Sequence, residues 1–331
     1  MGSSSFRQVT PRTELAYSEL IGKTVAVDMY NALYKFLSSI VDEYGNPLTR
    51  NGMVVSHLYG ILGTYANLMA QGIKFIFVFD GKPSEMKYET LKARSKIKND
   101  AHEKYDEAKK SGDIEGMKKY GRMTVKITPE IIESSKKLIL LLGSSYIDAQ
   151  QEGEAQAIEL VNEELSDYVS TPDYDALFFN CDHIIRNLGS KYKGHDLIPE
   201  MVSTHNTLEV NGVDLFQLRV ANLLVGTDYN EGIKKLGVKR SLNFVKGLKK
   251  MEDVIDKLIN MSYITSNDRQ KYLDDFNKLY NMFSDPSVYK NCKDRIIKGT
   301  FSKDELLSYL NSLNFNVSRF QGMIDSIYNL H

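Results

Sequence analysis

The sequence has few of the residues that define several common classes of protein. Its 331 residues include two cysteines, six histidines and no tryptophan. Two cysteines are too few for the disulfide framework of a small secreted domain or for a cysteine-based zinc site. The histidines show none of the spacings of known metal-binding motifs, such as His-Glu-x-x-His. We therefore expect a protein of a reducing compartment, the cytoplasm.

Long apolar segments are also missing. No apolar run approaches the roughly 20 residues that span a bilayer, and the N-terminus lacks the apolar core of a signal peptide. The composition, 42% hydrophobic and 26% charged, is typical of a globular protein in water. We expect no membrane partner, and the length allows one large or two ordinary domains.

The net charge of −1 hides two basic segments. Residues 82–126 contain 13 basic and 8 acidic residues, and residues 232–250 contain 7 basic and no acidic ones. Two basic segments on an otherwise acidic chain indicate that a polyanion binds at chosen places. A solvated helical surface explains the first segment about as well, but it explains the second poorly because no acidic neighbours balance it.

Apolar runs that end on an aspartate alternate with helical patterns. Thr24–Asp28 is one such run, residues 73–80 form another, and a third, shorter one approaches Asp173. Strands that alternate with helices predict a mostly parallel sheet covered on both faces. The C-terminal ends of parallel strands share one edge, where sites are usually built. Asp28, Asp80 and Asp173 are therefore expected to converge at this edge.

The segment from Glu152 places two carboxylates at the start of a predicted helix that continues through Leu165. Glu154 points at the apolar face of this helix, and a charge aimed at a core is costly unless it is paired. Two residues rotate an ideal helix by about 200°. Glu152 and Glu154 can thus face one site only if Glu152 precedes the first turn, a bend that Gly153 makes easy.

Two further acidic positions follow apolar segments. Asp173 and Asp175 share one face if the chain stays extended between them, and Asp228 follows a predicted helix over residues 213–224. Helix capping or a turn explains any single one of these carboxylates as well as function does. It does not explain all seven candidates together: Asp28, Asp80, Glu152, Glu154, Asp173, Asp175 and Asp228.

A cluster of carboxylates without histidine or cysteine prefers the hard cations Mg²⁺ and Mn²⁺. Two such ions about 4 Å apart suit an in-line displacement at a phosphodiester. The basic segments would hold the matching polyanion. The residues alone therefore predict a metal-dependent nuclease.

Five segments also carry a resemblance to a known family: residues 27–34 (VDMYNALY), 77–83 (FVFDGKP), 152–157 (EGEAQA), 173–177 (DYDAL) and 224–230 (LVGTDYN). In this order and spacing they resemble the flap endonuclease family of XPG-type structure-specific 5′ nucleases, especially its archaeal members. The resemblance implies an α/β, PIN-like fold with a mostly parallel twisted sheet flanked by helices. It also implies a helical arch, here about residues 82–126, and a helix–two-turn–helix, here about residues 226–250, that binds duplex DNA, often with a K⁺ ion.

The resemblance also implies roles for individual residues. Asp28, Asp80, Glu152 and Glu154 would hold one Mg²⁺, and Asp173, Asp175 and Asp228 a second, with Mn²⁺ as a substitute. Lys87 and Arg94 would contact the scissile phosphate, and Tyr34 would stack on a base at the cleavage site. The candidates for DNA binding are Lys98, Gly226, Lys234, Lys235, Gly237, Lys239 and Arg240.

We therefore predict a monomeric 5′ flap endonuclease that acts on branched DNA in replication and repair, in the cytoplasm and associated with the nucleoid. A 5′ exonuclease, a junction-resolving nuclease and a catalytically silent junction-binding scaffold are the alternatives. We divide the chain into a nuclease region with the arch (1–127), an internal nuclease region (128–250) and a C-terminal helical region (251–331). Residues 321–328 fit a sliding-clamp motif only loosely, and Ile324 and Ile327 are predicted to be the buried face of a final helix.

Overall fold

The structure, a computed structural model, describes residues 3–192 and 195–330. The strands in this part of the chain are β1 (Thr13–Glu14), β2 (Thr24–Asp28), β3 (Thr49–Arg50), β4 (Met53–Val54), β5 (Lys74–Phe79), β6 (Ser145–Asp148), β7 (Tyr168–Ser170), β8 (Ile184–Arg186), β9 (Lys191–Tyr192), β10 (His195–Asp196), β11 (Glu200–Val202) and β12 (Ile297–Lys298). Eight of them form one sheet in the order β1-β11-β8-β7-β2-β5-β6-β12, and β3–β4 and β9–β10 form two small hairpins.

Helices surround this sheet. They are α1 (Met29–Ser39), α2 (Ser56–Ile61), α3 (Asn67–Met69), α4 (Tyr88–Ser111), α5 (Ile114–Gly121), α6 (Pro129–Leu141), α7 (Gly153–Asn162), α8 (Thr204–Asn211), α9 (Leu215–Val225), α10 (Val238–Val245), α11 (Met251–Asn260), α12 (Arg269–Ser284), α13 (Lys303–Ser312) and α14 (Gln321–Tyr328). A π-helical turn, Leu62–Ala66, joins α2 to α3, and a 3₁₀ turn, Glu85–Lys87, leads into α4.

The centre of the sheet is parallel, as the sequence predicts. Strand β2 pairs in parallel with both β5 and β7, β5 pairs in parallel with β6, and β7 with β8. The outer strands β1, β11 and β12 run antiparallel to their neighbours. The carboxyl ends of β2, β5 and β7 therefore lie side by side at one edge of the sheet.

Each face of the sheet contributes to a separate part of the core. Along β5, Phe75, Phe77 and Phe79 pack into one hydrophobic cluster, while Ile76 and Val78 pack into the other. This alternation follows from the two-residue repeat of a strand, and burial on both faces explains why the segment has so few polar residues. The strand ends that follow are held on a rigid, doubly covered support.

Helices α4 and α5 form the arch. The long α4 is mostly exposed, and its C-terminal end is capped by Gly112 in the left-handed conformation (φ 71°). The far part of the arch meets the loop before β3, where Asn46 Nδ2 donates to Tyr105 Oη at 2.7 Å. A Cβ on Gly45 would lie 2.7 Å from the Cα of Lys118, so the close approach of α5 to this loop requires glycine.

Two predicted helices differ in the structure. Helix α7 ends at Asn162 and does not reach Leu165, because Glu164 adopts the left-handed conformation (φ 58°) and the amide of Leu165 bonds back to Leu160 O at 2.9 Å. This is a Schellman-type helix end. Between residues 226 and 250, where the resemblance implies a helix–two-turn–helix, the structure has the helix α10, and residues 232–237 before it form a loop with a turn at Lys234 and Lys235.

The C-terminal end of the described chain agrees with the sequence prediction. Ile324 and Ile327 on α14 are 0% and 1% exposed, and they form the buried face of a final helix as predicted. Among the described helices, none is both long enough and apolar enough to cross a membrane.

Candidate active site

Asp28 ends β2 and caps α1 at the carboxyl edge of the sheet. Its Oδ1 accepts a hydrogen bond from the amide of Tyr30 at 3.1 Å, which satisfies one of the free N–H groups at the start of the helix. Its Oδ2 accepts from Asn31 Nδ2 at 2.8 Å, and the same Nδ2 also donates to Asp173 Oδ2 at 2.9 Å. Asn31, which the sequence interpretation placed only in a helix, thus bridges two of the predicted ligands.

Asp80 follows β5 and contacts the start of α7. Its Oδ1 accepts a hydrogen bond from the amide of Gly153 at 2.7 Å. A Cβ on Gly153 would lie 2.5 Å from this oxygen. Glycine is therefore needed here for the carboxylate to bind the helix start so closely.

Glu152 precedes the first turn of α7, as the sequence argument required for a shared site. It is the N-cap residue, in an extended conformation (φ −80°, ψ 126°). Glu154 lies in the first turn and is half-buried. Both side chains line the same cleft, so the geometric condition set by the helix repeat is met.

Glu154 is the least compensated of the carboxylates. Its Oε1 is buried and has no hydrogen-bond partner among the described residues. Burial raises the pKa of Glu154 well above its ordinary value, and the neighbouring charges of Asp175, Asp173 and Asp28 raise it further. A buried acceptor without a donor is rare in folded proteins and indicates a group that a ligand satisfies.

The acidic loop, residues 173–175, is not extended, so the prediction of a strand-like shared face is wrong. The amide of Asp173 donates to Thr171 Oγ1 at 3.2 Å, and a 3₁₀ turn begins at Asp175. A short polar side chain that bonds the backbone two residues on is a common turn device. Both aspartates nevertheless line the cleft, because the turn brings them round to the same side.

Asp228 lies in the turn between α9 and α10. Gly226 ends α9 with a φ of 102°, and a Cβ there would lie 2.8 Å from the carbonyl oxygen of Glu231. The backbone carbonyl of Asp228 accepts a hydrogen bond from Thr90 of the arch, and Asp228 Oδ2 accepts from Arg94 Nη2 at 2.6 Å. Thr90, which the sequence interpretation did not single out, helps to join the arch to this turn.

Three basic side chains of the arch reach across the cleft to the body of the protein. Lys87 Nζ lies 2.5 Å from Glu152 Oε2, and Arg94 contacts Asp228 as described. Lys98 Nζ lies 4.8 Å from the centre of the Tyr34 ring and donates to its hydroxyl at 3.0 Å. The three basic side chains for which the resemblance implies contacts with DNA therefore point at the site.

Most of these groups line one cleft of about 350 Å³. Tyr34, Lys87 and Arg94 line it together with the seven predicted carboxylates, which are Asp28, Asp80, Glu152, Glu154, Asp173, Asp175 and Asp228. Burial, with repulsion between the acids, raises the pKa of Asp28 to about 6 and of Asp80 to about 7. Tyr229, also missed in the sequence, lies in the cleft wall beneath Lys87.

The donor set of the cleft fits hydrated hard cations. In the described chain, no three acidic, histidine or cysteine side chains are close enough together to enclose a bare ion. Mg²⁺ keeps several waters, however, and is commonly held by few direct carboxylates. The cleft supplies seven carboxylates and the orphaned Oε1 of Glu154. Such a set suits a hard, oxygen-loving cation.

Six of the predicted DNA-binding residues lie in the turn after α9 or at the start of α10. Lys234, Lys235, Lys239 and Arg240 are exposed, whereas the apolar residues between them are buried. Gly226 and Gly237 begin and end this turn, and Gly237 is the N-cap of α10. The basic side chains and the free amides at the start of α10 therefore face solvent together.

Lys235 has an unusual backbone conformation. Its φ is 71°, a conformation that glycine adopts without strain. Its carbonyl oxygen accepts a hydrogen bond from Arg240 Nη1 at 3.2 Å. A positively charged side chain thus already lies at this carbonyl.

Comparison with known proteins gives the same assignment as the motifs. The family model for the XPG N-terminal domain matches residues 1–101, and that for the XPG I-region matches residues 143–228. The chain is 39% identical over 244 residues to flap endonuclease 1 of Methanosarcina barkeri, covering 71% of this chain and 72% of the relative. It belongs to the flap endonuclease family. Flap endonuclease 1 of Ignicoccus hospitalis is 35% identical over 87% of this chain and 83% of its own.

Solved structures share the fold. The flap endonuclease-1 of Methanococcus jannaschii superposes with a TM-score of 0.71 at 30% identity, covering 98% of both chains. The catalytic core of Rad2 in complex with DNA substrate gives a TM-score of 0.74 at 21% identity, covering 98% of this chain and 100% of that one. The predictions of the family, of a PIN-like fold and of a structure-specific nuclease are thereby confirmed. The roles of individual residues stay predictions.

Proposed function

We propose that this flap endonuclease family member hydrolyses a phosphodiester bond near the single-strand/duplex junction of a 5′ flap by two-metal-ion catalysis, in replication and repair. The observation that carries the proposal is the cleft in which seven carboxylates face the basic arch. A nuclease needs cations and a phosphate in the same place, and this cleft offers ligands for the first and positive side chains for the second.

Within this proposal, the seven carboxylates hold two Mg²⁺ ions, and Mn²⁺ is expected to substitute. Asp28, Asp80, Glu152 and Glu154 would serve one ion, and the acidic loop with Asp228 the other. Bound divalent ions supply an activated water nucleophile and stabilise the leaving oxygen. The carboxylates themselves orient the ions, and Asn31 keeps Asp28 and Asp173 in register through its two hydrogen bonds.

Lys87 and Arg94 offset charge that develops on the reacting phosphate. Their present partners are Glu152 and Asp228, which are both proposed metal ligands. When cations neutralise these carboxylates, the two basic groups become free to contact phosphate oxygens instead. Positive groups placed where charge develops are usually a large part of catalysis, on the order of 10²–10³ in rate for one donor.

Tyr34 and the turn before α10 position the DNA. The Tyr34 ring is 39% exposed at the cleft and offers a surface on which a base can stack. The exposed basic residues of the turn would bind duplex phosphates, which predicts a steep dependence of affinity on salt. Within the proposal this turn needs no K⁺ at Lys235, because Arg240 supplies the positive charge there.

The partners follow from the same surfaces. Branched DNA is the proposed substrate, and the chain is proposed to act as a monomer. A sliding clamp that reads residues 321–328 would have to engage side chains other than Ile324 and Ile327, which are buried. We therefore propose that no clamp binds through this helix.

One experiment separates this function from its alternatives. Single-turnover cleavage of flap, nicked, gapped and four-way-junction DNA, with and without Mg²⁺, is expected to favour the flap and to need the metal. A preference for nicks or junctions would instead favour an exonuclease or a resolving enzyme. Asp175→Ala is expected to bind flap DNA but not to cut it, while Asp274→Ala, at an exposed position on α12, serves as the control. Full activity of Asp175→Ala, or absence of metal binding in the wild type, would refute the assignment.

A further inference from the structure

A half-buried arginine lies under the acidic loop and is not explained by the proposed chemistry. Arg186 ends β8, and the centre of its guanidinium lies 3.9 Å from the centre of the Tyr174 ring. Its Nε and Nη1 are buried and have no hydrogen-bond partner among the described residues. Leaving charged donors unpaired in a protein interior is costly, so the position of this side chain calls for a reason.

The ring that Arg186 stacks on is the centre of the acidic loop. Tyr174 stands between Asp173 and Asp175 and is 2% exposed. Its hydroxyl also lacks a hydrogen-bond partner among the residues that the structure describes. Tyr174 is thus held by the packing of its ring and not by its hydroxyl, and the position of that ring sets the positions of both neighbouring aspartates.

The acidic loop needs a positive group because its surroundings are negative. Burial raises the pKa of Glu154, and the charges of Asp175, Asp173 and Asp28 lie close enough to raise it further. Strand pairing does not hold the loop, since β7 ends at Ser170. Like charges in a low-dielectric site repel strongly, and the hydrogen bond that Asn31 donates to Asp173 is a neutral contact that adds no positive charge.

The other basic groups at the cleft do not perform this task. Lys87 and Arg94 belong to the arch and pair with Glu152 and Asp228. Arg186 instead belongs to the sheet, opposite Glu200 in the β8–β11 pair. It therefore holds its place whether or not the arch contacts the body.

We propose that Arg186 is a positioning residue that keeps the acidic loop in a cation-binding arrangement by stacking its guanidinium on Tyr174. The inference deepens the proposed function, on which it rests, by assigning a support to the ligands of the second metal ion. A planar, always charged guanidinium suits this role better than an ammonium group, which cannot stack in the same way. A stacked, desolvated cation of this kind contributes on the order of tenfold to an equilibrium.

The test compares Mn²⁺ binding to the full chain in the absence of DNA, measured from the free Mn²⁺ signal in electron paramagnetic resonance. Arg186→Lys keeps the charge but loses the planar stack, and it is expected to weaken Mn²⁺ binding about tenfold. Tyr174→Leu removes the ring on which the guanidinium stacks, and it is expected to weaken Mn²⁺ binding to a similar extent. Tyr174→Phe keeps the ring and loses only an unpartnered hydroxyl, so it is expected to bind Mn²⁺ as the wild type does.

A second stack in the chain supplies a matched control. The guanidinium of Arg295 also lies 3.9 Å from the centre of a tyrosine ring, that of Tyr289, but it is exposed and does not line the cleft. Arg295→Lys is expected to leave Mn²⁺ binding unchanged. Flap binding in Ca²⁺ and the melting temperature are measured for every variant, and a positioning role predicts flap affinity within about threefold of the wild type.

The outcomes separate this inference from the proposed function. If Arg186→Lys and Tyr174→Leu bind Mn²⁺ as tightly as the wild type and show only a lower melting temperature, the role of Arg186 is merely structural and the inference is overturned. If Arg186→Lys does not fold, Tyr174→Leu decides by the same criterion. Mn²⁺ binding that depends on Arg186 in a wild type that cuts no flap would support the inference and refute the proposed function.

Discussion

The raised pKa of Asp80 predicts that this carboxylate, a proposed metal ligand, destabilises the metal-free protein at neutral pH. Burial first, and then repulsion from Asp28 and Glu152, raises the pKa of Asp80 from 3.8 to about 7. In the unfolded chain the same group ionises near its ordinary value. The folded state therefore binds a proton more tightly than the unfolded state between about pH 4 and pH 7.

The sign and the size of the effect follow from this difference. Stability linked to Asp80 is fully present below about pH 4 and is lost as the pH rises towards 7. A pKa difference of about three corresponds to about 4 kcal/mol of unfolding free energy at pH 7.5, since each pKa step is about 1.4 kcal/mol. Asp80→Asn cannot ionise, and its amide oxygen can still accept the hydrogen bond from Gly153. The variant is thus expected to be more stable than the wild type by up to about 4 kcal/mol at pH 7.5.

Urea unfolding in EDTA at several pH values measures this directly. Asp80→Asn is expected to show a flatter dependence of unfolding free energy on pH, and the gain should shrink towards pH 4. Added Mg²⁺ should stabilise the wild type more than the variant, because the carboxylate gains a partner. Asp274→Asn, at an exposed site, should follow the wild type. If Asp80→Asn is no more stable than the wild type at pH 7.5 in EDTA, the electrostatic account of the cleft is wrong.

Three other predictions test the arch, the start of α7 and the turn before α10. Lys87→Ala and Arg94→Ala are each expected to slow single-turnover cleavage about 10²–10³-fold, while the affinity for flap DNA in Ca²⁺ changes little. A loss of affinity as large as the loss of rate would contradict a role of these side chains in the reaction. Gly153→Ala is expected to lower cleavage at least about tenfold with little loss of stability, because the added Cβ displaces the flexible carboxylate of Asp80, a proposed ligand. The control Gly322→Ala, which has open space around it, should change nothing. Lys235→Gly is expected to raise the unfolding free energy, measured by urea denaturation, by about 0.5–1 kcal/mol, because glycine adopts the left-handed conformation without strain. A loss of stability would show that the contacts of the lysine side chain stabilise the fold by more than the strain costs.

Much of the site is predictable because its supporting strands are strongly patterned. The apolar runs of β2 and β5 end on Asp28 and Asp80, and parallel strands bring such ends together whatever the side chains are. The position of Glu152 before the first turn is also predictable, since the helix repeat leaves no other way for it to share a site with Glu154. These predictions depend only on backbone periodicity.

The features that the sequence analysis missed depend on contacts between distant segments. Asn31 bridges Asp28 to Asp173, which is 142 positions further along the chain, and no local pattern indicates such a bond. Thr90 and Tyr229 are ordinary residues of a helix and a turn until the fold brings the arch to the cleft. The wrong extended geometry of the acidic loop has a local cause, because Thr171 bonds the amide of Asp173, and this turn competes with continuation of the strand.

The contacts around the carboxylates explain why the cleft should bind cations strongly. Glu152 and Asp228 have arch cations as partners, and Asp28 and Asp173 share the amide of Asn31. Glu154 keeps a buried oxygen without any donor in the described chain. The fold therefore neutralises only part of the negative charge, and it leaves one buried oxygen of Glu154 unsatisfied. A divalent ion is bound most strongly where protein groups have neutralised the least negative charge. Glu154→Gln is therefore expected to raise the stability of the metal-free protein and to weaken Mn²⁺ binding. A variant that is destabilised without metal would show that the hydrogen bond between Glu154 and Thr171 outweighs the burial of the unpaired oxygen.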